Sequence, residues 1–145
     1  MEDIDRRIVA LLARDGRMSF TDLGKETGLS TSAVHQRVRR LEKRGVIRGY
    51  RAVIDPEALG LSLTAFVSIK AFDATAEDEA PTKIAEIPGV EACYSVAGDE
   101  AYILKVRVSS PVDLEALLSD IRAIAGVSTR TTVVLSVPFE DRLLQ

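Results

Sequence analysis

The sequence predicts an α+β fold in which three short helices precede an antiparallel sheet that carries two more helices. In the first 45 residues, apolar side chains recur at helical spacing in three stretches, and each stretch ends near a glycine. The rest of the chain contains a strand–helix–strand pattern that repeats after 37 residues. We therefore expect a helical N-terminal domain and a mixed C-terminal domain.

The first helix is predicted from one apolar stripe. Ile4, Ile8, Leu11 and Leu12 lie at the spacing of a single helix face, and Asp15-Gly16 follows as a stop signal.

A second helix of about two turns is predicted directly afterwards. Ser19 is a candidate N-cap, and Asp22 follows it three residues later in the manner of a capping box. Phe20 and Leu23 supply the apolar face, and Gly28 is the predicted end.

The third helix follows a very short connection. Leu29 can pack inward, Ser30 is the next candidate N-cap, and the helix stops near Gly45. Its buried stripe is predicted to consist of Val34, Val38 and Leu41. Two helices joined by a tight glycine turn indicate a helix-turn-helix.

The charge of the chain is divided between its two halves. The formal net charge is −3, but residues 1–55 carry 12 Lys/Arg against 8 Asp/Glu, whereas residues 56–145 carry 7 against 14. Residues 31–51 hold seven basic side chains and the single acid Glu42. This excess suits a surface that faces a polyanion, although a solvated helix face would also be basic.

The exposed face of the third helix is predicted to carry side chains of the types that read DNA. It presents Ser32, His35, Gln36, Arg39 and Lys43, while Thr31, Arg40, Arg44 and Arg48 at the flanks suit phosphates. The N-cap candidate Ser30 completes the set of predicted DNA-binding residues. Gln36 can address adenine and Arg39 can address guanine in a major groove. His35 suits a base or phosphate contact, with a merely solvated histidine as the alternative. The competing interpretation of the whole domain is a three-helix bundle with a basic surface.

Residues 46–54 alternate loosely around Gly49, which predicts one or two short strands that would form a wing. Asp55-Pro56 then closes the unit. We accordingly expect a winged helix-turn-helix domain at residues 1–54, a linker at 55–61 and a second domain at 62–145.

The second domain is predicted from the 37-residue repeat. Residues 66–70 match 103–107 as strands, and residues 84–90 match 121–127 as a helix end, a glycine stop and a new strand. Two such units give βαββαβ, the ferredoxin-like arrangement with two helices on one sheet face. The other face is expected to bury itself against a second subunit, because the strands around it are apolar: Phe66, Val67 and Ile69 in one, Val133, Val134 and Leu135 in another.

Composition excludes several kinds of site. Cys93 is the single cysteine and His35 the single histidine, so we expect no internal disulfide, no metal site and no bound cofactor. We expect Cys93 to be a small core residue. No stretch reaches the roughly 18 apolar residues of a membrane helix, which favours a cytoplasmic protein with no membrane contact.

The motifs together resemble those of the leucine-responsive regulator (Lrp/AsnC, feast/famine) family over nearly the whole chain. The resemblance rests on residues 4–8, 15–17, 28–30, 37–42, 45–50, 55–60, 98–99 and 129–131. It implies a transcriptional regulator that binds double-stranded DNA, forms homodimers and joins them into octamers or similar rings.

The resemblance also implies an amino-acid effector pocket between dimers. By pattern alone, residues 97–101 are simply a hairpin turn. The matching pocket positions are Gly98, Asp99, Glu100, Ala101 and Tyr102, with Thr131, Thr132, Val133 and Val134 from a neighbouring dimer. Ala101 departs from the family, which commonly has an aspartate there, and Glu100 is a candidate substitute.

Two other classes of protein compete with a regulator. One is an enzyme acting on an amino-acid-like substrate, which is disfavoured because the second domain has no histidine, nucleophile triad or phosphate loop. The other is an interaction module that oligomerises without sensing a ligand. We expect a protein that is not an enzyme.

Overall fold

The computed structural model describes Met1–Leu144 and separates the chain into two compact units. One unit contains Met1–Val53 together with the tail that begins at Phe139, and the other is Ile54–Pro138. The division falls close to the expected boundary, whereas the tail groups with the N-terminal residues rather than with 62–145. Gln145, the last residue of the expected second domain, lies outside the described residues. The assignment of 1–54 and 62–145 as functional domains stays a prediction.

The N-terminal unit contains the three expected helices: α1 (Asp3–Arg14), α2 (Phe20–Thr27) and α3 (Thr31–Lys43). Both predicted serine caps are present, since Ser19 Oγ accepts from the Asp22 N–H and Ser30 Oγ accepts from the Ala33 N–H. α2 ends at Gly28 in the left-handed conformation. The predicted serine caps and the predicted ends of these helices are confirmed, whereas among the described residues the Asp22 side chain does not supply the second hydrogen bond of a capping box.

A small apolar core joins the three helices. Its members are at most 1% exposed: Ile8, Leu23, Val34, Val38 and Leu41. All three residues of the predicted α3 stripe lie in this core, which turns the opposite face of α3 to solvent. The N-terminal unit is a helix-turn-helix domain.

The predicted wing is wrong. Residues 46–54 contain no strand, and within the described chain residues 48–54 make no backbone hydrogen bond. A strand needs a ladder partner, and these residues do not fold back on themselves to provide one. The loose alternation of apolar and polar residues in this segment indicated only a local preference for extended backbone. The apolar Val53 and Ile54 are exposed.

The second unit begins with a short 3-10 helix (Pro56–Leu59) and continues as βαββαβ. Its elements are β1 (Leu63–Ala71), α4 (Ala74–Ile84), β2 (Val90–Ser95), β3 (Tyr102–Val108), α5 (Pro111–Ala125) and β4 (Val127–Val133). The sheet is antiparallel with the strand order β2-β3-β1-β4. This arrangement confirms the ferredoxin-like prediction.

The repeat is visible in the register of the two central strands. Val67 of β1 lies opposite Leu104 of β3, and these residues are also equivalent in the 37-residue repeat. Both are fully buried in a core that both helices share through residues such as Ile84 and Ile121. The internal similarity in sequence therefore corresponds to equivalent positions in the sheet.

The uncovered sheet face is less apolar than expected. Val67 and Ile69 point into the core beneath the helices, so that of the three β1 residues expected on the open face only Phe66 is exposed there. Successive side chains alternate between the faces, and the predicted apolar run therefore divides between them. Tyr94 lies on the same open face in the edge strand β2 and is 52% exposed. Two of the later residues, Val134 and Leu135, lie beyond the end of β4.

Candidate nucleic-acid interface and ligand turn

The α3 helix displays all the side chains that the sequence assigned to its outer face. Ser32, His35, Gln36, Arg39 and Lys43 are exposed, as are the flanking Ser30, Thr31, Arg40, Arg44 and Arg48. Ser30 caps the helix with its hydroxyl, which accepts from the Ala33 N–H at 3.2 Å and also lies 3.2 Å from Ser32 Oγ. Those of these residues that lie within α3 are exposed outside its buried stripe, whereas Arg48 is exposed in the segment after the helix.

Arg37 turns inward, unlike the other arginines of α3. Its Nη1 lies 3.0 Å from Asp5 Oδ1 and 3.1 Å from Glu2 Oε2, both at the start of α1. The Asp5 side chain is only 3% exposed, so this contact neutralises a buried carboxylate. Hydrogen bonds from the guanidinium to Asp5 and then Glu2 raise the pKa of Arg37. Arg37 therefore ties α1 to α3 and does not belong to the outward-facing cations.

The inward position of Arg37 could have been predicted from its spacing in the sequence. Arg37 follows Val34 by three residues and precedes Leu41 by four, which places it beside the buried stripe. Asp5 is likewise next to Ile4 and three residues before Ile8. An opposite pair of charges on two facing apolar stripes is the pattern that predicts this bridge.

The outward cations have no carboxylate partner in the described part of the chain. Arg39, Arg40, Lys43, Arg44 and Arg48 form no ion pair among residues 1–144, and all are exposed. Their charges are free to neutralise an approaching polyanion, which is the electrostatic requirement for binding phosphates.

A groove of about 360 Å³ lies at the base of the exposed α3 face, inside the N-terminal unit. Phe20, His35, Arg39, Glu42 and Tyr50 contribute to its lining. Burial, and after it the charge of Glu42, raises the pKa of the Tyr50 phenol. The groove places apolar rings directly beside the predicted DNA-reading residues.

The predicted ligand turn connects β2 to β3 and is fixed at one end. The Ala101 N–H donates to the Ile69 carbonyl at 3.2 Å, and the Val96 N–H donates to the Ala101 carbonyl at 3.0 Å. Gly98 and Asp99 are exposed. Glu100 is directed across the sheet, where its Oε1 lies 3.3 Å from Nε of Arg130. Glu100 therefore already has a cationic partner.

The residues expected from the last strand lie away from this turn. Thr131, Thr132 and Val133 pair with Val67, Phe66 and Ala65, and the Val134 N–H donates to the Thr64 carbonyl. The turn borders Ile69, which is two residues from Val67 and four from Ala65, or about 7 and 13 Å along β1. Within the described chain the turn reaches β4 through Glu100 and Arg130, and Arg130 is not one of the predicted pocket residues. Tyr102 starts β3 opposite Ile69.

The remaining part of the second unit offers no competing site of the kinds considered. Cys93 was expected in the core, but it is exposed, because β2 is the edge strand of the sheet. In residues 1–144, no three side chains of the metal-binding types come together. None of the helices in that range combines the length and apolar character that a membrane-spanning segment needs.

Comparison with known proteins identifies both units. The model of the AsnC-type helix-turn-helix domain matches residues 1–42, and that of the Lrp/AsnC ligand binding domain matches residues 64–144. The HTH-type transcriptional regulator LrpA of Mycobacterium tuberculosis is 51% identical over 142 residues, which cover 98% of this chain and 95% of that protein. The leucine-responsive regulatory protein of Escherichia coli is 37% identical over 139 residues, covering 93% and 85%.

A solved structure agrees with the fold. The feast or famine regulatory protein from M. tuberculosis complexed with L-methionine matches with a TM-score of 0.95 and 51% identity, over 99% of this chain and 97% of that chain. The fold and the exposed α3 helix define the class: a helix-turn-helix transcriptional regulator with a ligand-binding domain. The chain belongs to the Lrp/AsnC family. Members of this family are regulators and not enzymes, which confirms the expectation of a non-enzymatic protein.

Proposed function

We propose that the chain reads operator DNA in the cytoplasm through the outward face of α3, and that an amino acid bound in the C-terminal domain changes this binding. The active form is a homodimer, and dimers join into octamers or similar rings. Residues 1–54 are the DNA-binding domain, 55–61 the linker and 62–145 the sensing and assembly domain. An effector that changes the spacing between subunits changes operator affinity or DNA bending.

The DNA-binding proposal rests mainly on the difference between the buried and the exposed faces of α3. Val34, Val38 and Leu41 are buried to 1% exposure or less, whereas the base-reading and phosphate-binding candidates are all exposed. Arg39 and Gln36 have the donor and acceptor groups for guanine and adenine edges, and Arg44 lies at the C-terminal cap, where it suits a phosphate.

The open sheet face supports assembly into dimers. Phe66 is 38% exposed and Tyr94 is 52% exposed on a sheet side without helices. Glu91 beside them forms ion pairs with both Lys105 and Arg107, so these cations are engaged within the sheet. Pairing two chains presents two α3 helices to successive major grooves, and a single short helix binds weakly alone.

The β2–β3 turn supports the effector proposal. Exposed Asp99 supplies a carboxylate for an α-ammonium group, and exposed Gly98 leaves its backbone accessible. Because Glu100 is paired with Arg130, an ammonium placed there competes with Arg130 for the carboxylate. L-methionine is the ligand of a solved relative that is 51% identical, which makes it the first candidate effector.

DNA binding is tested by titrating the full chain with duplex from the upstream region of its own gene. We expect Arg39→Ala to weaken binding by about 1–3 kcal/mol and to relax sequence preference at one position. Arg44→Ala should weaken binding to all duplexes alike. The matched control is Arg14→Ala, which removes an exposed arginine outside α3. If the Arg39 and Arg44 variants both bind like the control, α3 is not the reading helix.

Effector binding is tested by thermal shift against the common amino acids, followed by sedimentation with the best ligand. A specific ligand raises the melting temperature by mass action, and Asp99→Asn should reduce that shift while the exposed Asp78→Asn should not. A chain that oligomerises but responds to none of these ligands is an interaction module rather than a sensor. A monomeric chain at micromolar concentration contradicts the proposed assembly.

A further inference from the structure

The rings of Phe20 and His35 meet edge to face at the start of the helix-turn-helix. Their centroids are 5.2 Å apart and their planes are inclined at 82°. Phe20 is the first residue of α2, and His35 lies one turn into α3. This distance and angle are those of a favourable T-shaped aromatic pair.

Phe20 is the fixed member of the pair. Its ring is partly buried and packs against the apolar core of the N-terminal unit. The preceding Ser19 caps α2 with an Oγ that accepts from the Asp22 N–H at 3.0 Å, which sets the position of the first turn. The Phe20 ring therefore contacts both the apolar core and the His35 imidazole.

His35 is the exposed member. It forms no hydrogen bond or ion pair with any residue of the described chain, so both ring nitrogens are open to a ligand. Rotation of an unsupported imidazole about its last side-chain bond is broad. Contact with the anchored Phe20 ring restricts this rotation.

We propose that Phe20 is a positioning residue for base recognition: it holds the His35 imidazole so that a ring N–H donates to the acceptor edge of a purine in the major groove. The proposal rests on the DNA-binding function proposed for α3. A purine presents N7 as an acceptor at a place where pyrimidines have none. A fixed ring direction therefore gives preference for a purine at one base pair, whereas a freely rotating imidazole also reaches phosphates.

The test is selection of bound duplexes from a pool with a randomised central region, with sequence preference read position by position. The variants are His35→Ala, Phe20→Leu, Phe20→Tyr and the double variant Phe20→Leu/His35→Ala. We expect His35→Ala to lose the purine preference at one position, reducing discrimination there by about fivefold or more. Phe20→Leu keeps an apolar side chain on the core but removes the ring, and should lose preference at the same position by about threefold to tenfold.

Two comparisons separate positioning from a general effect on folding. Phe20→Tyr keeps the ring and should restore the parent profile. In the His35→Ala background, Phe20→Leu should cause no further change at that position, because Phe20 acts only through His35.

Distinct outcomes overturn the two proposals. If the parent chain selects no sequence, the DNA-binding proposal for α3 fails. If the parent does select, but His35→Ala keeps the purine preference, the imidazole is a phosphate contact or a solvated group and the positioning role is wrong. That role is also wrong if Phe20→Leu shifts preference equally with and without His35. The exposed His35→Ala chain is expected to fold, so the result does not depend on the stability of the Phe20 variants.

Discussion

Gly24 of α2 lies directly against the backbone of Leu29, so closely that a Cβ atom on Gly24 would be 2.6 Å from the Leu29 carbonyl oxygen. The Gly24 carbonyl also accepts from the N–H groups of Gly28 and Leu29, at 2.8 and 3.1 Å. The turn that follows α2 is thus folded back onto the middle of that helix. The close crossing of α2 and α3 depends on the missing side chain at position 24.

Replacing Gly24 by alanine should destabilise the N-terminal unit. Helix propensity alone favours alanine by about 1 kcal/mol, but a Cβ contact with a backbone oxygen forces a shift of the turn. We expect the free energy of unfolding to fall by about 1–3 kcal/mol, measured by urea denaturation followed by circular dichroism. Lys25→Ala, at the next and exposed position, is the control and should change little. Equal stability of both variants would contradict the close approach.

Arg37 and Arg40 should give opposite results although both are arginines of α3. Arg37→Ala removes the partner of the buried Asp5 carboxylate and should lower the melting temperature clearly. Arg40→Ala should leave the melting temperature unchanged and weaken DNA binding. A thermal melt and a gel-shift titration of each variant decide this, and Asp5→Asn in the Arg37→Ala background should recover part of the loss. Additive effects of the two substitutions would exclude the bridge.

The salt dependence of DNA binding should report which cations reach phosphates. Arg44→Ala should reduce the slope of log Kobs against log salt by about 1. Arg37→Ala should leave that slope as in the parent, because its charge is already neutralised by Asp5 and Glu2. Titrations at four or five salt concentrations supply the slopes. An unchanged slope for Arg44→Ala would remove this residue from the interface.

The two serines at the start of α3 should differ in their effect on stability. Ser30→Ala removes the N-cap and should cost about 1 kcal/mol of unfolding free energy. Ser32→Ala, two residues later on the exposed surface, should cost at most a few tenths. Chemical denaturation of both variants gives the comparison, and a cost for Ser32 as large as that for Ser30 would speak against the observed cap.

The two equivalent glycines of the repeat should respond differently to alanine. Gly126 has the ordinary left-handed φ of 63°, and a Cβ atom added to it would meet no described atom within 4 Å, so Gly126→Ala should cost about 1 kcal/mol. Gly89 has a φ of 93°, and its Cβ would lie 3.4 Å from both the Arg107 carbonyl oxygen and Leu117 Cδ2. We expect Gly89→Ala to cost more than Gly126→Ala. The reverse order in thermal melts would contradict the packing of this turn.

Sequence patterns predicted the elements whose causes are local. The caps Ser19 and Ser30, the glycine ends and the α3 stripe all depend on neighbours within one or two turns, and all were confirmed. The βαββαβ order was also predictable, because the strand–helix–strand pattern repeats after 37 residues and makes the two central strands equivalent. Local chemistry and internal repetition therefore accounted for most of the fold.

Features that depend on distant partners were predicted less well. Residues 46–54 have strand-like composition but no strand to pair with. Val67 was assigned to the open face because the residues beside it are also apolar, so the sequence does not distinguish the two faces of the strand. The inward turn of Arg37 depends on Asp5, 32 residues away. The pocket positions from the last strand and from the β2–β3 turn stay predictions, because the proposed pocket needs a second chain.

The backbone between residues 48 and 54 is the expected site of limited proteolysis. Its amide groups have no partner in the described chain, and Arg48 and Arg51 are both exposed. A protease that cleaves after arginine meets backbone there that is not hydrogen-bonded into a helix or strand. Brief trypsin treatment should therefore release the ligand-binding half as a resistant fragment, and bound DNA or subunit pairing that shelters this stretch should slow its appearance.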